Sequence, residues 1–274
     1  MSTLPGNIQI EIEKVSNPSM LFDKCLNEYS FNTQEKYRSL EKIASSLTSS
    51  YKFGQVDVYK AYKQRMENLA EGLRSQGYKV KKFKLKSVSG LCIGMGRDSA
   101  IENGITLERN LGIPIIPSSS IKGVVRSYVT LYGTEKEQSK INKYFGSDDD
   151  QNPKPGEVDF LNAYMIADAK DYKVDVKDYK VDIKAYKVDI INNHFPDYYS
   201  DQNATTPPND WFNPIPVYFI RISEEKIFEF TIIGQDDEIL SEVQILIEKA
   251  FKEVGVGGKT SVGYGRMEKV KKCD

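Results

Sequence analysis

The chain has 274 residues, of which 39% are hydrophobic and 28% are charged, with a net charge of −1. This length allows one large domain with insertions or two small domains. The sequence has no apolar run long enough for a membrane span and no signal-peptide pattern, so we expect a cytoplasmic protein with no membrane partner. Its three cysteines, Cys25, Cys92 and Cys273, are too few and too far apart for a disulfide framework or a cysteine-rich zinc site.

The first part of the chain is predicted to contain one strand and two helices. Residues 7–14 alternate apolar and polar side chains, which is typical of a strand. Residues 18–50 and 56–76 carry apolar side chains at helical spacing, and Gly77 is placed to end the second helix. We therefore expect residues 1–78 to form an N-terminal strand and helical extension.

From residue 79 onward, the pattern predicts strands alternating with helices. The predicted strands are residues 79–93, 158–167, 217–222, 227–233 and 262–270, and the predicted helices are residues 121–132 and 239–254. The third and fourth strands flank a charged turn at residues 223–226 and are expected to pair as a hairpin. The order predicts an α+β fold, namely a ferredoxin-like (RRM-like, βαββαβ) domain over residues 79–274 with an insertion at about residues 168–214.

The insertion contains a tandem repeat, KDYKVDV-KDYKVDI-KAYKVDI, at residues 170–190. As a strand, the repeat would turn its apolar face over from one copy to the next, because the copy length is odd and side chains alternate. As a helix, its Tyr, Val and Ile side chains would form a heptad seam. Because these residue types favour strands, a strand or ribbon is the preferred interpretation, and the helix stays open.

The strongest functional signal is GVGGKTSVGYGR at residues 255–266, which we name the glycine loop. Its five glycines allow positive φ angles and a close approach of the backbone to a ligand, and successive amides can bind an anion. Phosphate-compatible donors are present at Lys259, Thr260, Ser261 and Arg266, and Tyr264 offers a stacking surface. The composition predicts a phosphate-binding loop.

A nucleotide-hydrolysing P-loop is excluded in spite of the Gly258-Lys259-Thr260 sequence. A P-loop needs a glycine five positions before Gly258, where this chain has Glu253. A P-loop also leads from a strand into the N-terminus of a helix, whereas this loop is predicted to lead from a helix into a strand. The helix dipole therefore has the wrong sign for a nucleotide phosphate.

A second candidate element lies at residues 113–126. Its prolines prevent a helix at residues 113–117, and the serines at residues 118–120 are predicted to be N-caps of the helix that follows. Lys122 and Arg126 are four residues apart and share one face of that helix. Free amides, hydroxyls and two cations at a helix N-terminus favour an anionic ligand.

Both elements lie in basic segments of a neutral chain. Residues 81–130 have eight Lys or Arg against three Asp or Glu, and residues 249–274 have seven against three. Acidic segments elsewhere, such as residues 148–150, offset this charge. Such a distribution is typical of a protein that holds a polyanion along one face.

An aromatic, polar stretch covers residues 191–199 and 207–214 and includes the one Trp of the chain and its one His, His194. Base stacking and core packing both remain open for these aromatics. A single His excludes a two-histidine ribonuclease mechanism within the chain and a His-rich metal site, which leaves His194 with Asp197 as the acid–base alternative. We expect no enzyme activity, no cofactor and no metal ion.

Six segments in order resemble the RAMP superfamily, the RNA-binding subunits of type III CRISPR effector complexes. They are IGMG (93–96), ENGITLERNLGIPIIPSSSIKGVVR (102–126), YFGS (144–147), DIINNHFPDYY (189–199), DWFNPIPVYF (210–219) and the glycine loop. The fourth and fifth segments are most similar to the family of the sixth subunit of the type III-B (Cmr) complex. The resemblance covers about residues 88–270, and residues 1–78 carry little of it.

The resemblance implies a non-catalytic subunit that binds the CRISPR guide RNA at its 3′ end and serves antiviral defence. The implied partners are the guide RNA, target RNA as a second candidate, the backbone RAMP subunit, the other head subunit and a small helical subunit. The implied RNA-binding residues are Ser119, Ser120, Lys122, Arg126, Gly257, Gly258, Lys259, Thr260, Ser261 and Tyr264. Arg266 is added to this set as a hydrogen-bond donor to phosphate, and His194 is added as part of the aromatic stretch.

Two departures and two alternatives accompany this resemblance. Ser118 stands where the family commonly has glycine, and the repeat at residues 170–190 is not a recognised family feature. One alternative function is a CRISPR RNA-processing endoribonuclease of the same superfamily. The other is a structural adaptor whose glycine loop packs only on a neighbouring protein.

Overall fold

The computed structural model describes residues 17, 19–20, 22, 37–38, 40–45, 55–97, 99, 103–147, 151–166, 185–201, 205–208 and 213–270. The strand predicted at residues 7–14 and the first two repeat copies lie outside these residues. Of the helix predicted at residues 18–50, residues 19–20, 22, 37–38 and 40–45 are described and helical. In the described part of the chain, no helix is both long and apolar enough to cross a membrane.

The helices are α1 (Gln55–Ser75), α2 (Ser118–Tyr132), α3 (Glu135–Ser139), α4 (Ile141–Phe145), α5 (Pro196–Ser200) and α6 (Asp237–Glu253). The strands are β1 (Lys79–Ser87), β2 (Ile115–Ile116), β3 (Asp159–Phe160), β4 (Ala163–Met165), β5 (Tyr186–Asn193), β6 (Ile215–Ile222), β7 (Ile227–Gly234) and β8 (Met267–Lys269). A 3₁₀ turn at Thr260–Val262 precedes β8, so the last strand is shorter than its predicted range of 262–270.

The main sheet is antiparallel and has the strand order β2-β4-β7-β1-β8. Strand β3 pairs with the far end of β7, so β3 and β4 together occupy one edge of β7, where the sequence predicted a single strand at 158–167. All residues of β7 except Glu229 are buried, because this strand lies in the middle of the sheet and is covered on both faces. A mixed fold of helices and antiparallel sheet confirms the α+β prediction.

Helices cover the two faces of the main sheet. Helix α6 is capped by the Asp236 side chain, which accepts a hydrogen bond from the Glu238 amide. It buries a regular apolar stripe of Ile239, Leu240, Val243, Leu246, Ile247, Ala250 and Phe251. Phe251 packs edge-on against Phe230 of β7, and Phe230 stacks on Phe83 of β1. Lys82, the residue before Phe83, faces the other way and forms an ion pair with Glu67 of α1.

Three contacts fix the direction of α2, α3 and α4 against α6. The Tyr128 hydroxyl donates to Glu253 at the end of α6. Farther along the chain, Glu137 pairs with Lys249, and the Tyr144 hydroxyl donates to Glu242. The two chain segments are therefore antiparallel. The N-terminus of α2 consequently lies toward the end of α6 at which the glycine loop begins.

A second sheet consists of β5 and β6, paired antiparallel from Tyr186↔Ile222 to Asn193↔Ile215. The predicted hairpin between residues 217–222 and 227–233 is therefore wrong, although both strands exist. Strand β6 pairs with β5, whereas β7 pairs with β1 in the main sheet. The turn between them is held on Ser87, whose amide donates to the Lys226 carbonyl and whose carbonyl accepts from the Glu225 amide.

The third repeat copy forms most of β5. Residues 186–190 are extended, so the strand interpretation is confirmed for this copy, and a helical seam does not include it. Ala185 and Tyr186 are buried, and the Ala185 carbonyl accepts a hydrogen bond from the Ser223 amide. This contact ties the start of β5 to the end of β6.

Candidate nucleic-acid interface

The glycine loop is fixed to the chain that leaves β1. The Val256 amide donates to the Gly265 carbonyl and closes the base of the loop at 2.9 Å. The Gly265 amide donates to the Gly90 carbonyl at 2.8 Å, and the Gly258 amide donates to the Cys92 carbonyl at 2.7 Å. The loop therefore stands on residues 88–92, which also bridge to β6 through Leu91 and Ile222.

Two of the glycines are required by this close backbone packing. Gly257 has a φ of 90°, and a Cβ at this position would lie 2.5 Å from the Cys92 carbonyl oxygen. Gly265 has a φ of 80°, and a Cβ there would overlap the Val256 carbonyl oxygen. Both positions combine a left-handed backbone with the absence of space for a side chain.

The tip of the loop is open to solvent. Lys259 is left-handed with a φ of 62°, and the 3₁₀ turn that follows exposes Ser261 and Val262. The Lys259 ammonium lies 5.3 Å from the centroid of the Phe219 ring, within the range of a cation–π contact. Thr260 is half-buried, and its carbonyl accepts a weak hydrogen bond from Arg266 Nη2 at 3.5 Å. Arg266 Nη1 is buried and has no hydrogen-bond partner among the described residues.

Tyr264, which the sequence predicted as a stacking surface, points to the second sheet. Its hydroxyl donates to Asp189 Oδ2 of β5 at 2.5 Å. The same oxygen accepts from Arg221 Nε of β6 at 2.9 Å, and the Arg221 guanidinium lies 6.0 Å from the centroid of the Tyr264 ring. Phe219 completes this cluster, with its ring centroid 6.1 Å from that of Tyr264.

The protonation states in this cluster suit its hydrogen bonds. Burial acts to raise the pKa of Asp189, but hydrogen bonds from Tyr264, the Ile190 amide and Arg221 outweigh it, so the net pKa lies below its ordinary value. Burial and the bond to Asp189 raise the pKa of Tyr264, which therefore stays protonated and donates. Burial also raises the pKa of Cys92 to about 12, so this thiol is not ionised at neutral pH.

Sequence reasoning missed Asp189, Arg221 and Phe219 as neighbours of the loop. The alternation along residues 186–190 indicates which side chains share a face of β5. It does not indicate which strand pairs with β5 or which loop covers that face. The missing information was the pairing of β5 with β6, since it places Asp189 opposite Phe219.

The second candidate element begins differently from its prediction. Ser118, Ser119 and Ser120 form the first turn of α2, and Pro117 occupies the N-cap position without a side-chain cap, so the predicted serine N-caps are wrong. The Ser118 amide is instead satisfied by Asn162 Oδ1 at 2.9 Å, from the chain between β3 and β4. Proline at the N-cap cannot donate its own amide, and a distant side chain supplies the acceptor for the next one.

The predicted cations on α2 are placed unequally. Arg126 Nη1 donates to the Gly146 carbonyl at 3.3 Å, so its guanidinium helps to hold the end of α4. Lys122 is half-buried and has no hydrogen bond or ion pair within the described part of the chain. Ser119 and Gly123 are exposed on the same first two turns. The open part of this element therefore consists of Ser119, Lys122 and Gly123.

The glycine loop and the N-terminus of α2 lie toward one end of the helical layer, and the described residues form no hydrogen bond, ion pair or ring contact between the two. The antiparallel packing of α2 on α6 directs both to that end.

Residues 84–268 of this chain match the RAMP superfamily. The chain belongs to the RAMP superfamily. The match runs from β1 to β8, so it contains both candidate elements and leaves α1 outside.

Two relatives of this RAMP-superfamily chain are CRISPR system Cmr subunits named Cmr6. The protein from Pyrococcus furiosus is 28% identical over 264 residues, which cover 76% of this chain and 73% of the relative. The protein from Saccharolobus solfataricus is 25% identical over 243 residues, which cover 85% and 72%. A chain of the type III-B Cmr-beta complex bound to cognate target RNA has the same fold, with a TM-score of 0.63 and 21% identity over 87% of this chain and 73% of that one.

His194 lies apart from the loop cluster of this RAMP protein. It follows the end of β5 and is exposed, with its ring 6.4 Å from that of Phe195. Five residues of strand separate it from Asp189, which corresponds to roughly 16 Å. Nearby, Tyr198 and Tyr199 are exposed and contact each other, whereas Trp211 lies outside the described residues. Among the described residues, no three His, Cys, Asp or Glu side chains are grouped to hold a metal ion.

Proposed function

We propose that this chain is a non-catalytic, guide-RNA-binding subunit of a type III-B CRISPR effector complex, at the 3′ end of the guide. The observation that carries the proposal is a glycine loop whose base is fixed by backbone hydrogen bonds while its tip carries the half-buried Lys259 and the exposed hydroxyl of Ser261. The relatives named Cmr6 support the assignment to this complex. The expected protein partners are the backbone RAMP subunit, the other head subunit and a small helical subunit.

The chemistry of the two elements supports an RNA backbone as the ligand. Lys259 and Lys122 supply positive charge, and Ser261 and Ser119 supply hydroxyl donors for phosphate oxygens. Neither element presents a set of side chains that would read base edges in a groove. A guide RNA needs this kind of site, since its spacer sequence varies while its backbone does not.

The strand order supports a ferredoxin-like core for this function. Strands β1, β3/β4, β7 and β8 with helices α2 and α6 follow the chain order strand, helix, strand, strand, helix, strand. In space these strands are ordered β8-β1-β7-β3/β4, with all neighbours antiparallel. In this proposal, β2 and the β5–β6 sheet are additions to that core, and residues 1–78 are its extension.

Removing the ammonium groups of Lys122 and Lys259 is expected to weaken RNA binding through the loss of positive charge. In a Lys122→Ala, Lys259→Ala double variant, we expect the affinity for single-stranded guide RNA to fall. The slope of log K against log salt should become less negative by about 1.4, because each lost phosphate contact contributes about 0.7 on single strands. Fluorescence anisotropy at four or more salt concentrations measures both quantities.

Lys79→Ala is the matched control for this experiment. It removes an exposed lysine at the opposite end of β1, next to the end of β7 rather than the glycine loop. We expect no change of slope in this variant. An unchanged slope in the double variant would contradict the proposal. Absence of guide-RNA crosslinks to residues 255–266 in the assembled complex would instead favour the structural adaptor.

The absence of catalysis is tested separately. Purified protein incubated with CRISPR repeat RNA is expected to leave the RNA intact, because the one histidine is exposed and removed from the glycine loop. Gel analysis of end-labelled RNA over several hours measures this result. Cleavage that is lost in a His194→Ala variant would favour the processing endoribonuclease. Cleavage that persists in that variant and co-elutes with the protein would contradict the proposed absence of catalysis.

A further inference from the structure

We propose that Asp189 of the second sheet is a positioning residue that sets the RNA-competent conformation of the glycine loop. The part of this inference that concerns RNA rests on the proposed function. Asp189 does not need to touch RNA in order to act, because it works through Tyr264. The β5–β6 sheet then stabilises the conformation of the glycine loop, in addition to extending the fold.

The geometry places one carboxylate oxygen between the loop and the sheet. Asp189 Oδ2 accepts both the Tyr264 hydroxyl of the loop and Arg221 Nε of β6. The side chains of Arg221 and Asp189 are 13% and 29% exposed, so the pair is partly shielded from water. Charge-assisted hydrogen bonds in such surroundings are about twice as strong as neutral ones.

Arg221 also supports the base of the loop from beneath. Its side chain packs against Gly90, where a Cβ would lie 2.5 Å from Arg221 Nη1. The Gly90 carbonyl in turn accepts the Gly265 amide. Asp189 is therefore connected to the loop in two ways. One is its hydrogen bond with the Tyr264 hydroxyl, and the other is its bond to Arg221, which packs on Gly90.

The loop needs such support because its glycine-rich backbone can adopt many conformations. Gly255, Gly257, Gly263 and Gly265 have positive φ angles, and Lys259 is left-handed without being glycine. Glycine-rich segments lose the most conformational freedom on ordering, so backbone bonds alone leave the loop weakly specified. Tyr264 lies between Gly263 and Gly265 and provides a side-chain anchor within this segment.

The first measurement uses the protein without RNA. We expect hydrogen exchange at the amides of Val256, Gly258 and Gly265 to accelerate about tenfold in Tyr264→Phe and in Asp189→Ala, the effect of losing a hydrogen bond to a charged group. Asp189→Asn keeps an acceptor oxygen and loses the charge, so it should give an intermediate rate. The Tyr264→Phe, Asp189→Ala double variant should match Asp189→Ala, since that variant already lacks the bond to Tyr264.

Asn192→Ala is the matched control. Asn192 lies on the same strand and is exposed, and it lies outside the network of Lys187, Glu224 and Arg221. We expect it to leave exchange in the glycine loop unchanged. Exchange that rises equally throughout β5 and β6 in the Asp189 variants, with no excess in the loop, would assign Asp189 to sheet stability and overturn the proposal.

The second measurement uses guide RNA. The affinity of Tyr264→Phe for guide RNA should fall in proportion to the fraction of molecules that lose the competent loop conformation, with an unchanged salt slope, because no phosphate-binding cation has been removed. Wild-type protein that binds no RNA would overturn the proposed function, while the exchange experiment would still decide the role of Asp189. Unchanged loop exchange in both Tyr264→Phe and Asp189→Ala would overturn the positioning role. If Asp189→Ala does not fold, Tyr264→Phe alone decides the question.

Discussion

A Gly265→Ala variant is expected to lose about 3 kcal/mol in the free energy of unfolding and to lose detectable RNA binding. A left-handed alanine costs about 1–2 kcal/mol compared with glycine. The added Cβ also overlaps the Val256 carbonyl oxygen, so the loop base must open and lose the bond between the Gly265 amide and the Gly90 carbonyl. Urea unfolding followed by circular dichroism gives the stability, and anisotropy gives the binding.

Gly263→Ala provides a control within the same loop. Gly263 has a φ of 97°, but no heavy atom outside its immediate neighbours lies within 4 Å of the position of a Cβ. This variant should therefore show the backbone strain alone, about 1–2 kcal/mol. The difference between the two variants isolates the cost of opening the loop base. Equal losses of stability would show that the base does not pack as described.

Ala185→Asp is expected to lower the free energy of unfolding by about 3–5 kcal/mol, the usual cost of an uncompensated buried charge. Ala185 is fully buried at the start of β5, and its carbonyl bonds to Ser223. The cations nearest in the β5–β6 register, Lys187 and Arg221, already pair with Glu224 and Asp189. The loss should become smaller at low pH, because a protonated aspartic acid is cheaper to bury.

Asn192→Asp is the matched control on the same strand. Asn192 is exposed, so the same gain of negative charge should change stability by less than about 0.5 kcal/mol. Urea unfolding at pH 7 and pH 4 compares the two variants. A small effect of Ala185→Asp at pH 7 would mean that water reaches residue 185.

This prediction also explains why β5 uses the third repeat copy. The first two copies have Asp171 and Asp178 at the position that corresponds to Ala185. Either copy would bring a carboxylate into the buried site if it replaced the third copy residue for residue. The substitution of alanine in one copy therefore favours a single register among three nearly identical sequences.

The sequence predicts the two long helices accurately, because their apolar residues keep helical spacing over several turns. The predicted helices at residues 56–76 and 239–254 agree with α1 and α6 to within two residues. Their apolar side chains recur at helical spacing over several turns, and Asp236 gives a clear N-cap. Such signals are local, so they can be read without knowledge of the rest of the fold.

The predictions that failed concern contacts between residues that are far apart in the sequence. Strands at residues 217–222 and 227–233 have a suitable turn between them, yet β7 pairs with β1, which lies more than a hundred residues earlier. Burial decides this pairing, since every residue of β7 except Glu229 is buried and the strand therefore fits only inside a covered sheet. In the same way, the loop sequence predicted an anion-binding turn, but the contact of Tyr264 with Asp189 depends on a strand that arrives from the insertion.

The position of the repeat also determines how freely its copy number can vary. Residues 167–184 connect the chain that follows β4, which lies between β2 and β7 in the main sheet, to Ala185, and the described residues at both ends are fixed by hydrogen bonds. The entropic cost of closing a flexible chain between two fixed points grows only with the logarithm of its length, and seven residues in eighteen change it by about 0.5 kcal/mol. We therefore expect variants with one copy more or one copy fewer to differ little in stability, provided that the copy nearest β6 keeps its alanine.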